Sequence, residues 1–235
     1  MNLSCLLCHQ ASPTPVCQWC EDDLFFFNST LHGDNLLRFG PVGGHVKHSH
    51  YNSLSVLGLH TWPMSTLVHQ FKFNHTVAAG KVLSNWFVHK KRRCNLPMPH
   101  VLLPVPISVW RLAKRHYNQT QVIATILSQA LCIPVAVNWS VRRGWQAQHS
   151  LSKHARQMHA KTAFQLTQKS IDNEYARAES KQENLRVAII DDVITTGGTV
   201  NALSKMLKAR YPAIDIEVWA MTFTPPPKSV LLKHQ

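Results

Sequence analysis

The chain has 235 residues, 45% of them hydrophobic, and a formal net charge of +13. This length fits one α/β domain of ordinary size with a small appendage, and it is too short for two full domains. No stretch approaches the ~18 uninterrupted apolar residues of a membrane span. The N-terminus, MNLSCLLCHQ, lacks the basic start and apolar run of a secretory signal. We therefore expect a cytoplasmic protein.

The positive charge is concentrated in one part of the chain. No Asp or Glu occurs from Asn35 to Ile171, and this acid-free segment holds 17 of the 25 Lys and Arg residues. Because solubility is normally served by charges of both signs, the segment favours a polyanionic partner over a merely solvated surface. Phosphorylated small ligands would account for part of the charge. Within the segment, four basic residues are consecutive: Lys90, Lys91, Arg92 and Arg93.

Four of the six cysteines stand at the N-terminus in C-x2-C-x8-C-x2-C spacing: Cys5, Cys8, Cys17 and Cys20. Each C-x2-C pair forms a natural knuckle, and four thiolates complete the tetrahedral shell of a structural zinc ion. The alternative, a disulfide framework, requires an oxidising compartment that nothing in the sequence indicates. The spacing thus predicts a zinc-binding knuckle over residues 1–24. Residues 25–60 suggest a connecting segment with irregular structure or a small β-element.

Residues 61–235 show the alternation of strands and helices that is typical of a parallel α/β domain. A helical period predicts helices over Met64–Lys90 (broken near Asn74), Asn118–Leu131 and Thr199–Ala209. Short apolar runs predict strands over Val101–Val105, Ile133–Val137, Val187–Ile190 and Val218–Phe223. A basic loop is expected after the first of these strands. Residues 142–163 have no clear period, and we expect a mobile loop there.

The segment from Val187 to Thr199, reading VAIIDDVITTGGT, carries the densest chemistry. Backbone N–H groups at a helix N-terminus lack partners and lie at the positive end of the helix dipole, so they can hold a phosphate. Gly197 and Gly198 allow the backbone to approach the ligand closely. Asp191 and Asp192, at the strand end, can accept hydrogen bonds from ribose hydroxyls and help to hold hydrated Mg²⁺. Hydroxyl donors stand on Thr195, Thr196 and Thr199.

This order of four apolar residues, two acids and T-T-G-G-T resembles the signature of type I phosphoribosyltransferases at nearly every position. A strand, turn and helix with Asp and Gly also occur as a plain turn in many α/β proteins, but the complete order favours the ligand site. The resemblance implies a type I phosphoribosyltransferase fold, a parallel sheet flanked by helices. It also implies that phosphoribosyl pyrophosphate is the ligand and that Mg²⁺ accompanies it.

The chain also resembles the ComF family of competence-associated and GntX-like proteins, and the matching segments cover almost the whole chain. In that family a four-cysteine zinc knuckle precedes a phosphoribosyltransferase-like domain. The segment LVHQFKFN (67–74) resembles the family's Lys-aromatic segment and places Lys72 at its lysine. LPVP (103–106) resembles the V-P-V-P turn of the pyrophosphate loop. RHYNQ (115–119) resembles the R-G-F-N-Q block, with His116 in place of the glycine. Further along the chain, the family has the residue order R…Q…R…A-F. The residues that match this order are Arg142, Arg143, Gln148, Arg156, Ala163 and Phe164.

Basic residues after the V-P-V-P turn are candidates for the pyrophosphate, whose negative charge must be stabilised as it leaves. These are Arg111, Lys114 and Arg115. We place Asp191, Asp192 and Arg115 at the reacting end of the site. The loop arginines Arg142, Arg143 and Arg156 could close over the ligand. In the alternative interpretation, all six basic residues form a solvated or nucleic-acid-facing surface. No general base is evident, because the acid-free segment has no carboxylate.

Two functions fit these features. The ComF resemblance implies a role in DNA uptake or DNA use, with DNA-uptake helicases or channel proteins as partners. Single-stranded DNA would then bind through the acid-free segment, with Lys90, Lys91, Arg92 and Arg93 as contacts. The alternative is an active phosphoribosyltransferase with an unknown acceptor and no DNA role. Aromatic residues near the basic segment could stack on the bases of this DNA, or they could pack in the protein core instead. These residues are Trp62, Trp86, Trp110, Tyr117, Trp139 and Trp145.

Overall fold

The computed structural model describes residues 3–142, 164–167 and 171–227. At the N-terminus, strands β1 (Leu3–Ser4) and β2 (Ala11–Ser12) pair in an antiparallel hairpin, and helix α1 (Gln18–Asp22) follows them. Helices α2 (Ser29–His32) and α3 (Gly40–Gly43) lead from this unit to the main domain. A 3-10 turn at Leu36–Arg38 lies between these two helices.

The main domain is built on four parallel strands. In chain order, its elements are β3 (Ser53–Leu59), α4 (Met64–Phe73), α5 (Val77–Arg92), β4 (Val101–Pro104), α6 (Val109–Arg115), α7 (Gln119–Leu131), β5 (Ser140–Arg142), β6 (Phe164–Leu166), α8 (Asp172–Ser180), β7 (Leu185–Ile194), α9 (Gly198–Arg210) and β8 (Ile214–Phe223). The strand order is β3-β8-β7-β4, and each neighbouring pair is parallel. Strands β5 and β6 form a separate antiparallel pair. The expected parallel α/β architecture is confirmed.

Helices cover both faces of the sheet, because successive strand side chains point to opposite sides. On one face α4, α5 and α7 pack against the strands, and Phe71, Phe87 and Trp219 share this core. On the other face α8 and α9 do so, and Leu203 and Ile189 belong to the same core. Strands buried on both sides read as continuous apolar runs, which is why β4, β7 and β8 could be located from the sequence.

The helix predictions agree closely with the structure, apart from two missed helices. The break near Asn74 separates α4 from α5, and α7 and α9 each begin within one residue of the expected position. Helix α8 lies in a polar segment for which no helix was predicted. Helix α6 lies where we expected a basic loop. It forms because the Ser108 side chain accepts a hydrogen bond from the Arg111 N–H and so caps the first turn.

The strand predictions miss two features. Strand β3 falls in the segment expected to be irregular or a small β-element, yet it pairs with β8 from Ser53 to Leu59. The predicted strand over 133–137 is reduced to a single bridge between Val135 and Leu102. Domain boundaries near residues 24 and 60 stay predictions. From position 143 onward, the expected mobile loop lies outside the described residues.

None of the described helices is long and apolar enough to cross a membrane.

Candidate functional site

The carboxyl ends of the four parallel strands meet along one edge of the sheet. In open α/β sheets this edge is where ligands bind. Asp191 and Asp192 lie in the last part of β7, and the turn 195–197 leads from them to α9. Most of the residues singled out by the sequence motif are thus brought to one place.

The two aspartates form a tight, partly buried pair. The Asp192 carboxylate lies 3.0 Å from the Lys72 ammonium, and their side chains are only 14% and 17% exposed. The Asp191 carboxylate accepts a hydrogen bond of 2.9 Å from the Asp192 backbone N–H. Burial, and then the charge of Asp192, raise the pKa of Asp191 to about 7. The pair therefore favours a second cation beside Lys72.

Carboxylate oxygens are the ligands that Mg²⁺ prefers, so the donor set of this pair fits that ion. Lys72 already balances the charge of Asp192, whereas the Asp191 carboxylate has no cation of its own within salt-bridge distance among the described residues. A divalent ion beside Asp191 would lower the pKa that burial has raised. Asp191 is accordingly the residue best suited to hold a metal ion, either by direct coordination or through a water molecule bound to the ion.

The turn after β7 presents open backbone donors. Gly197 is the N-cap of α9 with φ +70°, and no side chain caps this helix. The first N–H groups of α9 are thus open to a ligand at the positive end of the helix dipole. Thr195, Thr196 and Gly198 are exposed, and Thr199 is half-buried. The phosphate cradle over residues 195–199 stays a prediction, for which this turn offers backbone and hydroxyl donors.

The segment 46–51 braces the turn from the other side, and the sequence analysis missed it. The Lys47 N–H donates to the Thr196 carbonyl over 2.9 Å. A side chain at Gly197 would meet Val46 at 2.5 Å and the Tyr51 hydroxyl at 3.2 Å. Only glycine therefore fits between the turn and this segment. In the sequence, this segment is marked only by the basic run HVKHSHY, and the run does not show that the segment lies beside the turn.

A cleft of about 560 Å³ opens beside Lys72, the partner of Asp192, and α4 supplies most of its wall. Its lining comprises His60, Ser65, Thr66, Val68, His69, Lys72, Phe73 and Arg115. His60 follows β3, and its Nδ1 lies 3.0 Å from the Thr222 hydroxyl. Burial, and then the charge of Lys72, lower the pKa of His60. A neutral imidazole therefore faces the cleft at pH 7, a feature that the sequence could not show.

The loop after β4 is held rigidly by α7 and its neighbours. The Val105 carbonyl accepts hydrogen bonds from the Thr120 hydroxyl at 2.7 Å and from the Asn118 amide at 3.2 Å. The Trp139 indole N–H donates to the Pro104 carbonyl over 2.8 Å. Asn118 also caps α7 through the Thr120 N–H. Asn118 of the RHYNQ block, together with Thr120 and Trp139, thus fixes the LPVP segment (103–106) at the same edge of the sheet as the aspartates.

The basic residues of α6 separate into two groups. Arg115 lines the cleft, where its guanidinium lies 5.1 Å from the centre of the Phe73 ring and donates to Gln119. Burial, followed by the charge of Arg111, lowers the pKa of Arg142, whereas Asp191 raises it. Arg142 therefore lies close enough to Arg111 and to Asp191 to interact electrostatically with each.

Lys114 is a predicted ligand residue that does not line the cleft. It is exposed, and its ammonium stands over the Trp110 ring at 5.7 Å from the centroid. His116, next along the chain, has φ +61° at the end of α6. Left-handed geometry at a helix end favours glycine, which accounts for the glycine in the R-G-F-N-Q pattern. Arg143 and Arg156 lie outside the described residues.

The four N-terminal cysteines come together as predicted. Their Sγ atoms all lie within 4.8 Å of one another, and those of Cys8 and Cys17 are 3.7 Å apart. Thiolates around a tetrahedral zinc ion are about 3.8 Å apart when each Zn–S bond is ~2.3 Å. N–H groups of Leu7 and Cys17 donate to the Cys5 sulfur. Among described residues the cysteines form no disulfide, and the arrangement fits a closed, structural metal site.

The basic run at the end of α5 is not one continuous surface. Lys91 is only 1% exposed, and its ammonium lies 3.0 Å from the Glu217 carboxylate and 4.6 Å from the centre of the Trp219 ring. The prediction that Lys91 contacts nucleic acid is therefore wrong, because its charge is committed inside the core. Lys90 donates to the Phe27 carbonyl, and burial lowers its pKa to about 8. The exposed members of the run are Arg92 and Arg93.

The aromatic candidates for base stacking also separate. Trp62 and Trp110 are exposed, at 72% and 71%. Trp139 is fully buried, Trp86 packs against Phe26, and Tyr117 donates its hydroxyl to the Phe71 carbonyl. The core thus absorbs Trp139 and partly absorbs Trp86 and Tyr117. Trp145 lies outside the described residues.

Comparisons with known proteins match most of the chain. A family model described as the phosphoribosyl transferase domain covers residues 105–230. Competence protein F of Haemophilus influenzae is 30% identical over 219 residues, which cover 90% of this chain and 86% of that protein. The DNA utilization protein YhgH of Salmonella typhi is 30% identical over 170 residues, covering 70% and 69%. A solved adenine phosphoribosyl transferase from Trypanosoma brucei aligns with a TM-score of 0.38 at 16% identity, covering 66% and 56%.

Proposed function

The chain belongs to the phosphoribosyltransferase domain family and, within it, to the ComF family, and we propose that it binds phosphoribosyl pyrophosphate with Mg²⁺ and handles single-stranded DNA. Two of its relatives are named for competence and for DNA utilization. The observation that carries the ligand proposal is the placing of Asp191 and Asp192 beside the uncapped N-terminus of α9.

The proposed ligand pose follows from the chemistry of each part of the site. The 5-phosphate lies on the turn 195–199, where backbone N–H groups and Thr hydroxyls are donors. The ribose hydroxyls donate to the two aspartates. The pyrophosphate lies towards the loop 105–108, near Arg111, Arg115 and Arg142. Bound Mg²⁺ would supply the charge neutralisation that pyrophosphate requires, with Asp191 as its protein anchor.

The acid-free segment supports the DNA part of the proposal. Its surface carries a positive potential, and phosphate neutralisation by Lys and Arg releases counterions from nucleic acid. Arg92 and Arg93 are exposed within it. The relatives' names lead us to propose that partners which unwind or transport DNA during uptake deliver this single strand. Ligand pocket and basic surface lie on one domain, so the two activities are compatible.

The decisive experiment is isothermal titration of the purified protein with phosphoribosyl pyrophosphate, with and without Mg²⁺, and with and without a single-stranded oligonucleotide. We expect binding that depends on Mg²⁺ and oligonucleotide binding that weakens steeply with salt. Absence of ligand binding at millimolar Mg²⁺ would reject the pocket proposal. Absence of oligonucleotide binding at low salt would reject the DNA proposal and leave the pocket proposal standing.

A specific observation also favours a second function, transfer of the phosphoribosyl group to an acceptor. His60 is held by Thr222 and faces the cleft as a neutral imidazole. A neutral imidazole can accept the proton that an N–H or O–H acceptor must lose. Product formation from candidate acceptors, lost in His60→Gln with ligand affinity retained, would establish this function. Transfer at an undiminished rate in that variant would exclude His60 as the base.

A further inference from the structure

Helix α6 has two differently occupied faces. Arg115 lines the cleft, and Arg111, one turn before it, interacts electrostatically with Arg142. Trp110 and Lys114, also one turn apart, lie on the neighbouring face, where Trp110 is 71% exposed. The Lys114 ammonium is 5.7 Å from the centre of the Trp110 ring, so the pair forms a cation-π contact.

This Trp110–Lys114 pair stands in a surrounding without acids. No Asp or Glu occurs from Asn35 to Ile171, so no sequence neighbour neutralises Lys114. In the described structure the three salt bridges leave Lys114 out. An open indole face beside an unneutralised ammonium therefore remains on the surface.

We propose that the Trp110–Lys114 pair is a binding site for single-stranded nucleic acid, in which the indole stacks on a base and the ammonium contacts the adjoining phosphate. The inference rests on the DNA part of the proposed function and names the surface that performs it. Every base has a π-face, so such a site binds with little sequence preference. Lys114, which the sequence assigned to pyrophosphate, thereby contacts a different phosphate.

Nucleic acid fits this surface better than a membrane does. Val109 and Leu112 are exposed beside Trp110, but α6 has seven residues and is therefore only about 10 Å long. One of its three cations, Arg115, lines the cleft instead of lying in one plane with Trp110. A lipid surface needs a longer amphipathic face. Since Arg115 of the same helix lines the cleft, a bound strand would pass directly beside the ligand site.

The test compares two labelled oligonucleotides of equal length by fluorescence anisotropy, oligo(dT) and its abasic counterpart. The two share phosphates and differ in bases. We expect Trp110→Leu to weaken oligo(dT) binding about five- to thirtyfold and to leave abasic binding unchanged. Trp110→Phe should retain most of the affinity, because phenyl rings also stack. Trp19→Leu is the matched control: Trp19 is 83% exposed, but it stands among acids at Glu21 and Asp22.

Lys114→Gln should weaken binding of both oligonucleotides and reduce the log-log salt slope by about 0.7. The inference is overturned if wild type binds oligo(dT) but Trp110→Leu binds it equally well, or loses both oligonucleotides equally. It is also overturned if Trp110→Leu loses binding to vesicles containing phosphatidylglycerol instead. If wild type binds neither oligonucleotide at low salt, the DNA part of the proposed function fails together with this site.

Discussion

The Lys72 ammonium lies 3.0 Å from the Asp192 carboxylate, and this contact joins α4 to the end of β7. The same helix also contacts the cysteine knuckle, because the Gln70 amide donates to the Leu6 carbonyl over 2.7 Å. Cys5 and Val16 share a core with Phe71 of α4. The metal site and the ligand site are therefore linked through a single helix.

Removing the knuckle metal should weaken ligand binding at a distance. A structural zinc site can contribute roughly 10 kcal/mol to local folding, so Cys17→Ser or a strong chelator should unfold the knuckle while the sheet stays folded. Loss of support for α4 would then lower the affinity for phosphoribosyl pyrophosphate several-fold. Metal analysis, far-ultraviolet circular dichroism and titration calorimetry check the three steps. Protein purified without chelator and found free of zinc would contradict the prediction at its first step.

Replacing both aspartates should weaken ligand binding strongly without unfolding the protein. Asp191→Asn with Asp192→Asn removes the charge that anchors Mg²⁺ and leaves weaker acceptors for the ribose hydroxyls. Each lost charge-assisted hydrogen bond is worth about 1.5–3 kcal/mol, so we expect affinity to fall by roughly a hundredfold or more. Calorimetry measures the affinity and thermal unfolding measures the fold. A double variant that is unfolded at 25 °C would show that the aspartates have a structural role.

The raised pKa of Asp191 predicts opposite pH trends for stability and for binding. Burial and Asp192 raise this pKa to about 7, whereas an unfolded Asp has a value near ~3.9. The folded protein therefore binds the extra proton, and stability should fall as the pH rises from about 4 through 7. Mg²⁺-dependent ligand affinity should rise between pH 6 and pH 8, because the metal requires the carboxylate.

Asp191→Asn is the control for both trends, since the amide does not titrate. It should flatten the pH dependence of binding and raise the melting temperature of the ligand-free protein at pH 8, where the wild-type carboxylate is charged. At pH 4 the two proteins should have similar stability. Equal pH profiles of ligand affinity in the variant and the wild type would assign the titration to another group.

Gly197 and Gly198 provide a matched pair of substitutions. Ala at 197 would place its Cβ 2.5 Å from Val46 and 3.0 Å from the Lys47 carbonyl, at a backbone with φ +70°. We expect Gly197→Ala to cost roughly 1–3 kcal/mol of stability and to weaken ligand binding at least tenfold. Ala at 198 has only the Thr196 hydroxyl near it, at 3.9 Å. Gly198→Ala should keep full stability, which urea unfolding can measure for both variants.

The sequence located the parts of the site that are contiguous and missed those that are not. Residues 191–199 form one motif, and a strand followed by a turn and a helix places them without tertiary information. His60 and the bracing segment 46–51 stand more than a hundred positions earlier. They reach the site only because β3 pairs with β8, a long-range contact that local patterns do not encode.

The prediction that Lys91 lies on the surface was wrong, and the helical period of α5 already argued against it. The buried positions of α5 include Leu83, Ser84, Phe87 and Val88, and Lys91 continues the same stripe. A charge at such a position is tolerated only with a buried partner. The partner, Glu217, lies on β8, so its presence could not be inferred from the helix. Composition alone therefore predicted four surface residues in the basic run, whereas the helical period already places Lys91 on the buried face of α5.

This division of the basic run yields the last prediction, in which Lys91 and its neighbours respond oppositely. Lys91→Gln leaves the Glu217 carboxylate, 12% exposed, without its cation. Breaking such a pair costs about 3–5 kcal/mol, so urea unfolding should shift strongly to lower concentration while the folded fraction binds single-stranded DNA normally. Lys91→Met with Glu217→Gln removes both charges and should recover much of the lost stability.

Arg92→Gln with Arg93→Gln should instead change stability by about 1 kcal/mol or less, because both side chains are exposed and Arg92 loses one exposed hydrogen bond to the Ala130 carbonyl. If this pair contacts single-stranded DNA, each lost phosphate contact lowers the log-log salt slope by about 0.7. Anisotropy titrations at several salt concentrations measure that slope, and phosphoribosyl pyrophosphate affinity serves as the internal control. An unchanged slope and affinity would restrict the DNA-binding surface to other parts of the acid-free segment, because neither arginine would then touch a phosphate.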